Sequence, residues 1–209
     1  MRIAGGEFRG RQLHVPKGLD VRPTQDRVRE ALFSMLQGAV EGARFLDLFA
    51  GSGGVGFEAL SRGAAAATFV ESAPASLDCI ALNAAMLKVE ARCRIVRADV
   101  YAWLSTASYV PDRTKGLNSP SAINGLGFDI AYADPPYAVG AEHGYADMLA
   151  RLSAGGIVRP GGLFVAEMRN CQAPDISPGW ELCRDRTYGQ TRLAVYRLQD
   201  LAVAAEEAQ

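Results

Sequence analysis

Five short apolar runs, Phe45 to Phe49, Ala67 to Val70, Cys93 to Val96, Phe128 to Ala133 and Leu163 to Ala166, alternate with helical patterns over Val55 to Ser61, Pro74 to Lys88, Val100 to Leu104 and Tyr145 to Leu152. Buried strands joined through helices need crossover connections, so these runs predict an α/β fold, a mostly parallel sheet covered by helices on both faces. The end of the chain breaks the pattern. Trp180 to Arg186, a Tyr188-Gly189 turn and Thr191 to Leu198, where apolar and polar residues alternate, predict an antiparallel hairpin closing the sheet.

The chain of 209 residues, 49% hydrophobic and 22% charged, suits one domain with a small appendage. Residues 1–21, broken by Gly5, Gly6, Gly10 and Pro16, predict an N-terminal arm or hairpin, residues 22–200 the main domain, and residues 201–209 a frayed tail. Thr24 is placed to cap a helix with Asp26 near its positive end and Val28, Leu32, Met35 and Leu36 on one apolar face. Residues 105–127, rich in Ser, Gly, Asn and Pro, predict a long loop.

Charge is unevenly spread. Residues 1–30 hold seven Arg or Lys against four acids, so a chain of net charge −1 combines a basic arm with a body of net −4. Such an arm suits a polyanionic partner. The four cysteines form no C-x-x-C pair, and with two histidines they offer no zinc spacing, so no metal is expected and the thiols are expected to be free in a reducing cytoplasm. No apolar leader or membrane span is visible.

Asp47-Leu-Phe-Ala-Gly-Ser-Gly-Gly-Val-Gly56 follows a strand and opens a helix, the place where open α/β sheets bind ligands. Gly51, Gly53 and Gly56 satisfy G-x-G-x-x-G, and Glu71, 20 residues past Gly51, stands where it can accept bonds from ribose hydroxyls. These features fit a nicotinamide dinucleotide as well as S-adenosylmethionine. Asp47 favours the second, because a carboxylate ahead of the turn repels a pyrophosphate and attracts a methionine ammonium. Asp99, at the next strand tip, can accept from an adenine amino group or cap the helix that starts at Val100.

Asp134-Pro135-Pro136-Tyr137 stands where the fourth strand must stop. Two prolines remove two N–H donors and stiffen the backbone, leaving the Asp134 carboxylate and the Pro135 carbonyl as acceptors. An exocyclic amino group on a nucleic-acid base has two N–H donors and a lone pair delocalised into its ring. Two fixed acceptors bind both protons, reorient the lone pair and stabilise the positive charge that develops as a methyl group arrives. Tyr137 offers a stacking face, a contact worth about 1–3 kcal/mol per base. Asp134, Pro135 and Tyr137 are the catalytic candidates, with Pro136 against the substrate. Methylation of a pyrimidine carbon needs a cysteine nucleophile, usually in Pro-Cys, and no cysteine here follows a proline.

With these segments in view, the chain resembles the bacterial RsmD-type methyltransferases of small-subunit ribosomal RNA, which act on N2 of a guanine. The similarity spans Met1-Arg-Ile-Ala-Gly-Gly-Glu-Phe-Arg-Gly-Arg11, Arg22-Pro-Thr-Gln-Asp-Arg-Val-Arg-Glu-Ala-Leu-Phe33, the Asp47 turn, Asp134 to Tyr137 and Tyr188-Gly-Gln-Thr-Arg192. It implies a Rossmann-like class I methyltransferase fold with seven strands, the last two forming a hairpin. It also implies S-adenosylmethionine held among Asp47, Phe49, Gly51, Ser52, Gly53, Glu71, Asp99 and Val100. Arg22, Thr24, Arg27 and Arg29 become candidates for RNA contact. The implied partner is 16S ribosomal RNA, in the small subunit or an assembly intermediate, met by a cytoplasmic monomer.

Three rivals follow from the same residues. Adenine-N6 methylation uses the same acceptor pair, although no separate sequence-reading domain is visible; a NAD-dependent oxidoreductase would use the glycine turn; a non-catalytic RNA-binding module would use neither tip.

Overall fold

In a computed structural model of the protein, residues 1–16, 23–109, 122–123, 127–136 and 144–200 are described. They fall into two compact units, Met1–Val100 with Tyr132–Asp134, and Tyr101–Ala131 with Pro135–Gln209.

The first unit contains α1 (Pro23–Met35), β1 (Arg44–Leu48), α2 (Gly54–Ser61), β2 (Ala66–Glu71), α3 (Pro74–Leu87), a 3₁₀ turn at Glu90–Arg92 and β3 (Cys93–Arg97). The strands pair in parallel, Phe45 beside Ala67 and Thr68 beside Arg94, as crossover helices require. Helix α2 is almost wholly buried, and Phe57 on it meets Phe69 of β2 with ring centroids 4.9 Å apart. Each such buried ring contributes about 1.5–3 kcal/mol.

The arm is part of this core. Arg2 and Gln12 form an antiparallel bridge, Ile3 N–H donates to the Arg11 carbonyl at 3.0 Å, and Ile3 and Leu13 are buried in one cluster with Phe57, Phe69 and Ile80. Helix α1 begins at Pro23, so Thr24 lies inside the first turn and is not its cap. Proline suits that position because its missing N–H would have no helical partner there. The capping position falls on Arg22, outside the described residues.

The second unit carries most of α4 (Val100–Thr106), then β4 (Ser108–Tyr109), β5 (Ala122–Ile123), α5 (Tyr145–Ala154), β7 (Val158–Arg169), β8 (Trp180–Tyr188) and β9 (Thr191–Leu198), while β6 spans Phe128–Ala133. Strands β8 and β9 form the expected antiparallel hairpin, with a bulge between Leu182 and Arg184, and β9 also pairs antiparallel with β7. Phe164 stands 6.1 Å from Tyr196 and 6.3 Å from Trp180, ring centre to ring centre, and the Trp180 indole donates to the Leu149 carbonyl at 3.0 Å.

The sheet order is β3-β2-β1-β6-β7-β9-β8, a seven-stranded, mostly parallel sheet with its antiparallel hairpin at one end. The region expected as one loop from 105 to 127 contains the end of α4 and a short parallel pairing of β4 with β5; residues 110–121 and 124–126 lie outside the described residues, as does the 201–209 tail. Among the described residues no helix is long and apolar enough to cross a membrane.

Candidate active site

The turn after β1 is set by its backbone. Phe49, half-buried, takes φ 60, a left-handed conformation that costs a non-glycine residue about 1–3 kcal/mol and persists only where its surroundings enforce it. Gly53 reaches φ 82 as the residue preceding α2. Gly56 is required for packing, since a Cβ there would stand 2.3 Å from Phe69 Cε1.

Asp47 projects from β1 into the first unit with 1% exposure, and its Oδ2 accepts the Gly56 N–H at 2.8 Å. Burial holds its carboxyl well above the usual range, the Gly56 bond opposes this, and the charges of Glu71 and Asp134 push the same way as burial. The charges of two acids expected at other strand tips therefore reach the Asp47 carboxyl within one unit.

Glu71 is committed to the backbone more than expected. Its Oε2 accepts Gly51 N–H at 2.7 Å, and its Oε1 accepts Ser72 and Ala73 N–H, both at 2.8 Å. A carboxylate offers about four acceptor sites, and three are occupied here in holding the turn to the end of β2. Gly51 and Ser52 are half-buried and Gly53 is buried, all in this turn. Asp99 is exposed directly ahead of α4, whose first residue Val100 is buried. Asp134 is exposed at the end of the first unit, followed by half-buried Pro135 and exposed Pro136; Tyr137 lies outside the described residues.

The four residues expected at RNA divide. Arg22 is outside the described residues, Thr24 lies in the first turn of α1, and Arg27 is exposed on that helix. Arg29 corrects the expectation of a surface contact. It is 5% exposed, and its guanidinium donates to Glu58 at 3.3 Å, Asp26 at 2.9 Å and the Arg2 carbonyl at 2.5 Å. A buried guanidinium needs such partners, and here they tie α1 to the arm and α2.

Two residues that sequence reasoning missed organise this unit. Glu58, fully buried on α2, accepts Ala4 and Gly5 N–H, each at 2.8 Å, and pairs with Arg29 and Arg62. Asn83, fully buried on α3, bonds the backbone of His14 and of Ser52. Both carry a sequence signal: Glu58 is the lone charge in a mostly apolar helix, and Asn83 shares the helical stripe of Cys79, Ile80, Ala84 and Leu87.

Comparison with known proteins agrees with this architecture. Residues 1–197 match the family described as Conserved hypothetical protein 95. The chain is 33% identical over 197 residues to ribosomal RNA small subunit methyltransferase D of Escherichia coli K12, covering 94% of this chain and 89% of the relative. The solved structure of the Escherichia coli protein yhhF superposes with a TM-score of 0.77 at 30% identity, covering 95% of this chain and 98% of that one. At the level of fold alone, SMU.776, solved as a complex with SAH, gives a TM-score of 0.59 at 17% identity over 85% of this chain and 50% of that one. The match along almost the whole chain, arm included, means that this protein belongs to the Conserved hypothetical protein 95, or RsmD, family.

Proposed function

We propose that this protein transfers a methyl group from S-adenosylmethionine to the exocyclic N2 of a guanine in small-subunit ribosomal RNA. The observation that carries the reading is the assembly, in one unit, of the turn after β1 with the acidic residue of the proline tip, close enough for Asp134 and Glu71 both to act on the Asp47 carboxyl.

The residues present fit the cofactor. A Cβ at Gly51 would meet no described atom within 4 Å, so the turn backbone is open there. Carboxylates at Asp47 and Glu71 match an ammonium and hydroxyl donors, and they repel the pyrophosphate of a dinucleotide. The fold likeness to a protein solved with SAH supports the same choice, and the name of the Escherichia coli relative supports ribosomal RNA.

When bound, S-adenosylmethionine supplies an electrophilic methyl group. The chain's part is to hold the acceptor nitrogen. The Asp134 carboxylate and Pro135 carbonyl accept hydrogen bonds from its two N–H groups, favour a pyramidal nitrogen and offset the charge that appears on it. The methylated nitrogen is acidic enough to lose its proton to water, so Asp134 serves in positioning and charge stabilisation, and Tyr137 stacks on the base. Cys93 and Cys79 are disfavoured as nucleophiles: burial pushes the Cys93 thiol up to about 11, with Arg92 opposing, and burial also raises that of Cys79.

The reading implies a cytoplasmic monomer acting on the small subunit or an assembly intermediate. Calorimetry should show heat with S-adenosylmethionine and none with NAD. Incubation with small subunits from a strain lacking this gene, followed by mass mapping, should place one methyl group on a guanine; a methylated adenine would reject that assignment, and NAD binding alone would reject the cofactor.

A further inference from the structure

Asn83 spends its whole amide on two segments that are far from it in sequence. Its Oδ1 accepts the His14 N–H at 2.7 Å, and its Nδ2 donates to the His14 carbonyl at 3.0 Å and to the Ser52 carbonyl at 3.1 Å. The first two bonds copy a strand pairing, with a side chain standing in for a neighbouring backbone. The third reaches the middle of the turn after β1. Only an amide side chain offers one acceptor and two donors in this arrangement; an aspartate would face two carbonyl oxygens with a third acceptor. Because Asn83 has no exposure, water cannot replace any of these bonds.

We infer that Asn83 is a positioning residue that couples the docking of the N-terminal arm to the geometry of the cofactor turn, so that cofactor binding and arm docking strengthen each other. The inference rests on the cofactor reading given above. If the turn adopts its binding geometry only when Ser52 is held, and Asn83 is held by His14, the ligand must tighten the arm by the factor by which the arm tightens the ligand. The other end of the arm is secured separately, through Ser61 and Glu58, where Phe8 N–H donates to Ser61 Oγ at 2.9 Å. The arm therefore stays attached when the Asn83 link is cut.

The test uses the full chain and S-adenosylhomocysteine as probe. Calorimetry gives its affinity, and amide hydrogen exchange at His14 reports arm docking with and without it. The wild type should bind the probe, and saturation should slow His14 exchange about tenfold, within the usual range of coupling between sites. Asn83→Asp should weaken binding about tenfold and abolish the ligand-dependent slowing. A purely structural Asn83 would lower stability yet leave that slowing intact, which would overturn the inference. His14→Pro removes the donated N–H, and with it the exchange probe at position 14, without altering α3. It should weaken binding about tenfold and abolish the ligand-dependent slowing at neighbouring Leu13, whose N–H donates to the Met1 carbonyl at 2.9 Å. Should Asn83→Asp not fold, wild-type affinity with the slowing at Leu13 intact in His14→Pro would overturn the inference. A wild type that does not bind the probe would instead sink the cofactor reading.

Discussion

The Gly51 N–H donates to Glu71 Oε2 at 2.7 Å, tying the turn after β1 to the tip of β2. Glu71→Gln keeps the size but removes the charge and turns an amide NH2, itself a donor, toward backbone N–H donors. A hydrogen bond to a charged group is worth about 1.5–3 kcal/mol, and stability in urea should fall by about that much. Affinity for S-adenosylhomocysteine, measured by calorimetry, should fall with it.

Asp134 should separate binding from turnover. Asp134→Ala is expected to leave cofactor affinity within a factor of about two and to lower kcat about 100-fold or more, the usual cost of losing one preorganised transition-state contact. Near-wild-type turnover in a single-turnover assay would remove Asp134 from the mechanism.

Arg27 and Arg29, two positions apart on α1, should behave as opposites. Glu58→Ala or Arg29→Ala removes one partner of a buried charge, Arg29 keeping Asp26 and Glu58 keeping Arg62, which should cost about 1–3 kcal/mol and be plain in thermal denaturation. Arg27→Ala alters an exposed residue and should change stability by no more than about 0.5 kcal/mol. It should weaken RNA binding and lower the salt slope by about 0.7–0.9, one phosphate contact.

Asp47 predicts an unusual pH dependence. Its carboxyl is held above the unfolded value chiefly by burial, so between the two values the folded state binds more protons than the unfolded state. Stability from this group is then present at low pH and lost as pH rises through the folded value. Asp47→Asn keeps an acceptor for Gly56 N–H without the charge; it should raise Tm at neutral pH, with the gain fading as pH falls toward 4, about the ordinary aspartate value. It should also weaken the cofactor. An equal Tm difference at both pH values would contradict this.

Gly56→Ala tests the helix–strand contact, because the new Cβ would stand 2.3 Å from the Phe69 ring. Overpacking of this kind costs about 1–3 kcal/mol, read as a lower urea midpoint at unchanged slope.

The order of strands and helices was legible because each element carries its own periodicity. For β7 the apolar run predicts only Leu163 to Ala166, and Pro160, Gly161 and Gly162 look like breakers, whereas the observed strand runs Val158–Arg169. Strand tips announced Asp47, Glu71 and Asp134 because acids there interrupt apolar runs. What Glu71 binds was not legible, since its partners are backbone groups, which have no sequence signature. Arg29 was misread for a related reason: whether an arginine on a helix faces water depends on where the arm lies, and Glu58 decides that from 29 positions away.

The anchors of the arm also set the timing of its folding. Ala4 waits for Glu58 and His14 for Asn83, partners 54 and 69 residues downstream. As the chain is synthesised from its N-terminus, the basic arm leaves the ribosome long before either anchor exists. Its first end can settle only after α2 has emerged and its second only after α3, so a nascent chain arrested before Glu58 should expose the whole arm to protease and one arrested well beyond Asn83 should not.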